Sequence, residues 1–394
     1  MKKIGIIGNG VSAVTAIREI RRADQDVNID VFSDEGYGYY PRPKLIELIA
    51  NRESLTEIVR YDHNWYEKNN STLRLSEPVV GINPSSRSIM SKAATHFDYD
   101  RILITTGCHP FVPPIHGVEK AGVHVLRTLD DALAIKEHVS SSSRQIIIGG
   151  GILGIELASA IKAVGGSPLV ISNIAQLLPA QLDQGASSAL LSRLENMGLN
   201  VLLGFTCVQV TGPDMSTGVV STTGDKIRGD CVIMATGVKP NTKMAQESGI
   251  AVGRGITVDD QMLTSERGIY AAGDCVEWKG FIWGIIPVAL DTAKIAAKNL
   301  IDHGSATYTG TTPSNTLQVA GIDLTSIGNF NPKSPDYQSV VRTDESDGTY
   351  FKAVLKDKVV VGGIALGDRK VAMKLRRLVN SSEIVENTDE IFDA

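Results

Sequence analysis

Residues Gln145 to Ile161 read QIIIGGGILGIELASAI: a short apolar run, a glycine turn and the opening of a helix. Ile146, Ile147 and Ile148 form the strand, and Gly149, Gly151 and Gly154 take the G-x-G-x-x-G spacing. Gly149 permits the tight turn, Gly151 lets a pyrophosphate approach bare backbone, and Gly154 lets helix and strand pack closely. Unpaired N–H groups at the helix N-terminus then face the phosphates with a partial positive charge. One such turn also serves as a plain connection. Working outward, however, Lys3 to Ala16 repeats the pattern as KIGIIGNGVSAVTA. Gly8, Gly10 and Ala13 take the three places, alanine being tolerated at the third. Two dinucleotide turns in one chain are most economically filled by a bound flavin and a passing nicotinamide.

The 394 residues are 42% hydrophobic and 21% charged, with a net charge of −5. That composition suits two or three globular domains and argues against nucleic acid or an anionic membrane as a partner. Lys2 and Lys3 precede a few apolar residues, but glycines interrupt them before a signal-peptide core forms. No run nears the roughly 20 apolar residues of a membrane span, so a cytoplasmic chain is expected. Cys108, Cys207, Cys231 and Cys275 are scattered without C-x-x-C or metal-ligand spacing. They read as buried packing residues, with no disulfide framework, no metal site and no redox pair.

Ile29 to Phe32 (IDVF) continues the first βαβ unit, and Asp34 and Glu35 follow about 20 residues past the glycines, where a carboxylate accepts hydrogen bonds from an adenosine ribose. A solvated turn beside Ser33 and Gly36 is the alternative. In Tyr39 to Leu45, YYPRPKL, the prolines stiffen the backbone and suit a helix start. Arg42 is then held as a bidentate donor near the cofactor phosphates, or else sits solvated on a surface turn.

The YYPRPKL run resembles a Tyr-x-Arg/Lys-Pro-x-Leu run of the pyridine nucleotide-disulfide oxidoreductase superfamily, in its rubredoxin and ferredoxin reductase branch. Four more stretches are similar to it, in order and spacing, through about residue 310. YDRILITTG (Tyr99 to Gly107) resembles a strand whose Thr106 and Gly107 contact flavin. DCVIMATGVKP (Asp230 to Pro240) resembles the second such turn, through Gly237. GIYAAGDC (Gly268 to Cys275) places Gly273 and Asp274 where the family binds the ribitol. WGIIPVALDTAKIAA (Trp283 to Ala297) resembles the helix that follows beneath the isoalloxazine. Val80 joins the candidate cofactor contacts. The bland alternatives are a simple strand end at Thr105 to Gly107 and a helix N-cap at Asp274.

The resemblance implies an α/β FAD/NAD(P)-linked reductase fold, with two Rossmann-like three-layer ββα domains and a small α+β C-terminal domain. The boundaries expected are an FAD-binding domain at 1–109 plus 241–311, an NAD(P)H-binding domain at 110–240, and an interface domain at 312–394. Ser140 to Ser143 reads as a loop before the second turn. TTPSNTLQVAG opens the third domain, an antiparallel sheet with a hairpin turn at Lys356 to Lys358. A helix is predicted from about Asp368 to Val379. Its Arg369, Lys370, Lys374, Arg376 and Arg377 form either a docking patch for an acidic carrier or a solvated face, and five acids in SSEIVENTDEIFDA follow to neutralise it.

By the same resemblance, hydride passes from NAD(P)H to bound FAD. Single electrons then pass to a small carrier such as rubredoxin, in a monomer or homodimer. Glu156, two residues past Gly154, is the candidate group near the reacting centre; a carboxylate merely complementing the helix end is the alternative. Related ferredoxin reductases pair that glutamate with a lysine at the place that is Glu47 here. Lys44, three residues earlier on the same helical face, is the candidate substitute. Leu169 to Ile171 lead into Ser172 and Asn173, with neither the acid of NAD-preferring relatives nor the arginine of NADP-preferring ones, so either donor is expected. The competing functions are an NAD(P)H oxidase or nitrite-reductase-like flavoprotein, and a flavin-dependent sensor or assembly protein.

Overall fold

The computed structural model describes residues 2–311, 314–319, 322–344 and 348–393. The chain divides into two compact units. The first is Met1–Leu45, Glu53–His109 and Val238–Thr311; the second is Ile46–Arg52, Pro110–Gly237 and Thr312–Ala394.

The first unit is built on a five-stranded parallel sheet in the order Ile269–Ala271, Arg101–Ile104, Lys3–Ile7, Asn28–Phe32, Ser71–Arg74. Parallel strands covered on both faces read as nearly continuous apolar runs. Accordingly, Ile4, Ile6, Ile29, Val31, Ile102, Leu103 and Ile104 are all buried. A three-stranded antiparallel sheet of Val79–Asn83, Ser88–Ser91 and His96–Asp98 supplies a second layer. It approaches so closely that a Cβ on Gly5 would stand 2.6 Å from Ile89 Cδ1. Helices Val11–Ala23 and Ile286–Ile301 pack on each other as the third layer. The second of them starts with Pro287 at its first turn, so Trp283 to Ile285 precede the helix that the sequence suggested they belong to.

The second unit repeats the plan. Its parallel sheet runs Asn200–Leu203, Pro168–Ser172, Gln145–Ile148, Cys231–Met234, Val123–Val125, beside an antiparallel sheet of Cys207–Thr211, Gly218–Ser221 and Lys226–Arg228. The helix Leu129–Ser141 is closed by a reciprocal Thr128–Asp131 capping box. It runs into the serine stretch, so Ser140 and Ser141 are helical and not loop.

The C-terminal part of this unit is an antiparallel sheet in the order Ser314–Val319, Ile322–Gly328, Val359–Leu366, Thr349–Lys356, Gln338–Asp344. Of the opening stretch 311–321, residues 312–313 and 320–321 lie outside those described. The hairpin expected at Lys356 to Lys358 is present, with Asp357 and Lys358 at φ 50 and 62, as a tight type I′ connection requires. Helix Arg369–Ser381, capped by Asp368 onto Lys370 N and Val371 N, buries Val371, Leu375 and Leu378 on the sheet. The acidic tail is divided between this basic face and other partners. Arg377 meets Glu383 at 3.7 Å and Lys374 turns to the carbonyls of Glu390 and Asp393, while Glu386 pairs with Lys358 and Asp393 with Arg342.

Asp183 joins this sheet to the nucleotide-binding part of the same unit. It N-caps Gln184–Asn196 through Ala186 N at 3.0 Å and accepts from Lys352 Nζ and Tyr350 O–H, each at 2.8 Å. Burial works against the Asp183 charge, but the Lys352, Ala186 and Tyr350 hydrogen bonds outweigh it and hold the carboxyl below its ordinary pKa.

Candidate dinucleotide sites

In each unit the strand, the turn and the helix follow the division of labour that the glycines suggested. Gly8 has φ 103, and a Cβ on it would stand 2.3 Å from the Thr105 carbonyl oxygen. Gly149 has φ 131, and its Cβ would stand 2.2 Å from the Ala235 carbonyl oxygen. No side chain fits either place. At the second positions the space is open instead: a Cβ on Gly10 or Gly151 would have no neighbour within 4 Å. Both residues are extended N-caps of their helices, and neither helix carries an acid in its first turn. Bare backbone, outward N–H groups and no competing carboxylate are what a pyrophosphate needs. At the third position Gly154 presses its backbone on Gly149, with a virtual Cβ 2.0 Å from the Gly149 oxygen, whereas Ala13 is accommodated fully buried.

Around the first turn, Asn9 is gripped by the hydroxyl of the fully buried Tyr66. Thr105 Oγ1 donates to the carbonyls of Ile7 and Gly8 at 3.0 and 3.2 Å, fastening the neighbouring strand end to it. Thr106 Oγ1 donates to Asn241 O at 3.0 Å while Asn241 Nδ2 donates to Thr106 O at 2.7 Å, and Gly107 takes φ 66. Gly273, at φ 87, lies so near the first helix that a Cβ would stand 2.4 Å from Ser12 Oγ. Asp274 caps no helix, because strand Val276–Trp278 follows it; its Oδ2 accepts from the Cys108 thiol at 3.3 Å. Tyr66 and Asn241 were not singled out in the sequence, and Cys108 was read there only as a packing residue. Their partners are 57, 135 and 166 residues away, so no local spacing marks them.

The acids after the second strand separate. Asp34 is exposed, whereas Glu35 accepts from Arg42 Nη2 at 2.5 Å and from the Tyr40 hydroxyl. Arg42 also lies over the Tyr40 ring, 4.8 Å from its centroid. Burial disfavours the Arg42 charge, but Glu35, Tyr40 and Asp34 together outweigh it and raise its pKa. Lys44 opens helix Lys44–Ile49 and pairs with Glu53, while Glu47 pairs with Arg52 at 2.6 Å. Each therefore has an opposite charge close by in the sequence. Val80 lies on strand Val79–Asn83, 41% exposed.

Around the second turn the strand end carries no charge. Ser172 is buried, and its Oγ accepts from Ile174 N at 3.3 Å in a local turn. Gly150 packs on it, its virtual Cβ 3.1 Å from Ser172 Cβ. Glu156 lies half-buried on helix Ile152–Ala163. Thr236 Oγ1 donates to Phe111 O at 2.5 Å, and Gly237 has φ 98 with open space where a side chain would be. All four cysteines are buried and none is in a disulfide, and burial raises the Cys275 thiol to about 11. Among the described residues no helix is long and apolar enough to cross a membrane.

Comparison with known proteins agrees with this geometry. Residues 2–299 match the family described as pyridine nucleotide-disulphide oxidoreductase, and residues 313–383 match the rubredoxin NAD+ reductase C-terminal domain. The chain is 32% identical over 391 residues to a nitrite reductase [NAD(P)H] of Bacillus subtilis, covering 99% of this chain and 48% of that one; it thus spans about half the length of that relative. It is also 32% identical over 390 residues to the NADH-rubredoxin oxidoreductase of Clostridium acetobutylicum, covering 99% and 97%. The crystal structure of NADH:rubredoxin oxidoreductase from the same organism superposes with a TM-score of 0.83 at 31% identity, over 98% of this chain and 97% of that one. FAD and a nicotinamide dinucleotide are the cofactors of such proteins, and the two open glycine turns fit them. On the matched residues, and on two turns that each leave room for a pyrophosphate, the chain belongs to the pyridine nucleotide-disulphide oxidoreductase family.

Proposed function

We propose that the chain is a flavoprotein oxidoreductase that takes electrons from NAD(P)H and delivers them singly to a small redox protein of the rubredoxin type. The observation that carries this reading is the pair of turns, each with an open second glycine but with differently charged strand ends. When bound, FAD accepts a hydride from the nicotinamide and releases electrons one at a time. The protein's part is to hold and orient. Gly8 and Gly10 shape the first turn, Asp274 supplies a carboxylate for the ribitol, and Thr106 and Gly107 present a fixed strand end. Arg42 with Glu35 offers one charge of each sign for phosphate and ribose. Gly149, Gly151 and Gly154 receive the nicotinamide dinucleotide. Ser172 imposes no charge on its ribose, so NADH and NADPH both serve. Glu156 is assigned to the neighbourhood of hydride transfer. For Lys44 the Glu53 ion pair supports a supporting role in the first unit.

For the division into an FAD-binding domain at 1–109 plus 241–311, an NAD(P)H-binding domain at 110–240 and an interface domain from 312, the unit breaks after His109 and before Val238 support the first two boundaries, while residues from 312 group with 110–237 in the second unit, as do Ile46–Arg52. Similarity to a nitrite reductase about twice as long favours one second reading, in which this chain is the electron-input half of a larger reductase. Stopped-flow reduction by NADH and NADPH, followed by mixing with rubredoxin, tests the first. Rapid bleaching of the flavin and reoxidation by rubredoxin faster than by air is the expected result. Bleaching with no acceleration by rubredoxin sinks the carrier assignment, and a colourless protein that binds no added FAD sinks the flavin. In Glu156→Gln, unchanged FAD content with at least roughly tenfold slower bleaching is expected.

A further inference from the structure

Three potential metal ligands that lie far apart in the sequence meet in the second unit. Strand Val123–Val125 runs parallel to Cys231–Met234 with Ile233 opposite His124. Because side chains alternate along a strand, Cys231, two residues before Ile233, points to the same face as His124. Helix Leu129–Ser141 packs against the His124 strand and contributes His138. His124 Nε2 and His138 Nδ1 are 2.8 Å apart, and one ring nitrogen of each histidine and the Cys231 sulfur all lie within 4.8 Å of one another. Cys231 is fully buried and both imidazoles are half-buried.

The lack of a side chain at position 122 makes space for one of these imidazoles. At Gly122 a Cβ would stand 3.1 Å from His138 Cε1 and 2.6 Å from Ser216 Oγ, so any side chain there would crowd the imidazole. Neither dinucleotide turn uses any of the three side chains.

We propose that His124, His138 and Cys231 form a binding site for a thiophilic divalent cation of the zinc type. Two imidazole nitrogens and one thiolate are a ligand set such ions favour, leaving a fourth place for water. Zinc–nitrogen and zinc–sulfur bonds of about 2.0 and 2.3 Å place tetrahedral ligand atoms roughly 3.3–3.7 Å apart. The imidazole pair therefore opens by about half an ångström as the ion enters. On binding, the thiol proton of Cys231 leaves to solvent as the sulfur–metal bond forms. The imidazole that donates in the empty pair moves its proton to its other ring nitrogen, leaving both facing nitrogens free to coordinate. The bound ion ties two sheet strands to the helix that covers them. No change of metal oxidation state is involved, and the proposal does not depend on hydride transfer.

The test uses the full flavin-loaded protein after chelator treatment. Zinc is added with thermal unfolding followed, and cobalt(II) is added separately as a spectroscopic probe. One equivalent of tightly bound zinc, a raised Tm, and tetrahedral cobalt ligand-field bands beyond the flavin absorption are expected. Cys231→Ser and His138→Gln are each expected to weaken zinc binding on the order of 100-fold, while Cys207→Ser, which alters another buried thiol of the same unit, binds as the parent does. His138 is half-exposed, so His138→Gln remains informative if Cys231→Ser fails to fold. Zinc binding with unchanged affinity in His138→Gln, or no binding and no shift in Tm by the parent protein, overturns the site.

Discussion

The two glycine turns carry the same fingerprint, but what surrounds them differs. The first is enclosed by side chains whose charges are already paired: Glu35, Arg42 and Tyr40 form one bonded group, and buried Tyr66 holds Asn9 inside the turn. The second ends on a serine whose hydroxyl accepts from the backbone N–H of Ile174. A preorganised, charged lining spends little on reorganisation and retains its ligand, whereas an uncharged one lets a ligand come and go. On the proposed assignment, a resident cofactor and a transient one share a backbone motif, and the side chains beyond it separate the two.

The hardest break is at the first glycine of either turn. Gly149→Ala combines an unfavourable φ with a clash against the Ala235 backbone oxygen, and is expected to cost more than about 3 kcal/mol; Gly8→Ala meets the Thr105 oxygen in the same way. Thermal unfolding should show both as severely destabilised, which locates the shared part of the motif in the fold and not in the ligand.

Next in size is the bracing of each unit. Asp183→Asn keeps a helix cap but removes the partner of Lys352, whose side chain is only 10% exposed, and should cost about 3 kcal/mol. Because the folded Asp183 pKa is depressed, its contribution is present above the ordinary aspartate pKa and fades as pH falls through the lower folded value. The gap between parent and variant, measured by denaturant unfolding, should therefore narrow in acid. Glu35→Gln, which faces an arginine one-third exposed, should cost nearer 1 kcal/mol.

The comparison sharpens at the second glycine, where nothing opposes a methyl group sterically. Gly10→Ala is expected to yield folded protein with depleted flavin. Gly151→Ala should keep its colour but need about tenfold more NADH for half-maximal flavin reduction, a loss near 1.4 kcal/mol of binding. Equal flavin loss in both variants would erase the distinction between resident and transient ligand. Ser172→Glu should shift the ratio of NADH to NADPH efficiency several-fold toward NADH, read from kcat/KM for the two donors. The smallest effect belongs to Ala13→Gly, about 1 kcal/mol from helix propensity alone, with flavin content unchanged.

Much of this was legible in the residues. Strand, turn and helix at Ile146 to Ile161 follow from apolar run, glycine spacing and helical pattern, and the Asp357–Lys358 hairpin from two alternating runs meeting at a short polar break. Helix starts were legible to within a few residues; Pro287 marks the true start that Trp283 obscured. What was hidden depends on register. Cys231 and His124 share a face only because their strands align with Ile233 opposite His124, and the Asp183–Lys352 pair spans 169 residues. The identity of the acid that Arg42 chooses was equally hidden, since Asp34 and Glu35 are neighbours and only the turn's geometry aims one inward. Lys44 pairs with Glu53 because the chain returns after the helix, an encounter that helical spacing does not encode.

The edge strand Ile269–Ala271 pairs with Arg101–Ile104 in the first sheet, and helix Ile286–Ile301 packs on Val11–Ala23. During synthesis, therefore, the first glycine turn leaves the ribosome early but lacks its edge strand and covering helix until the whole stretch 110–237 has followed. That intervening stretch has its complete parallel sheet to itself and can close first. The parallel sheet that starts first is thus completed after the one whose strands lie wholly within 110–237, and until then its apolar strands rely on partial cover, a period in which slow elongation or chaperone contact has the most to protect.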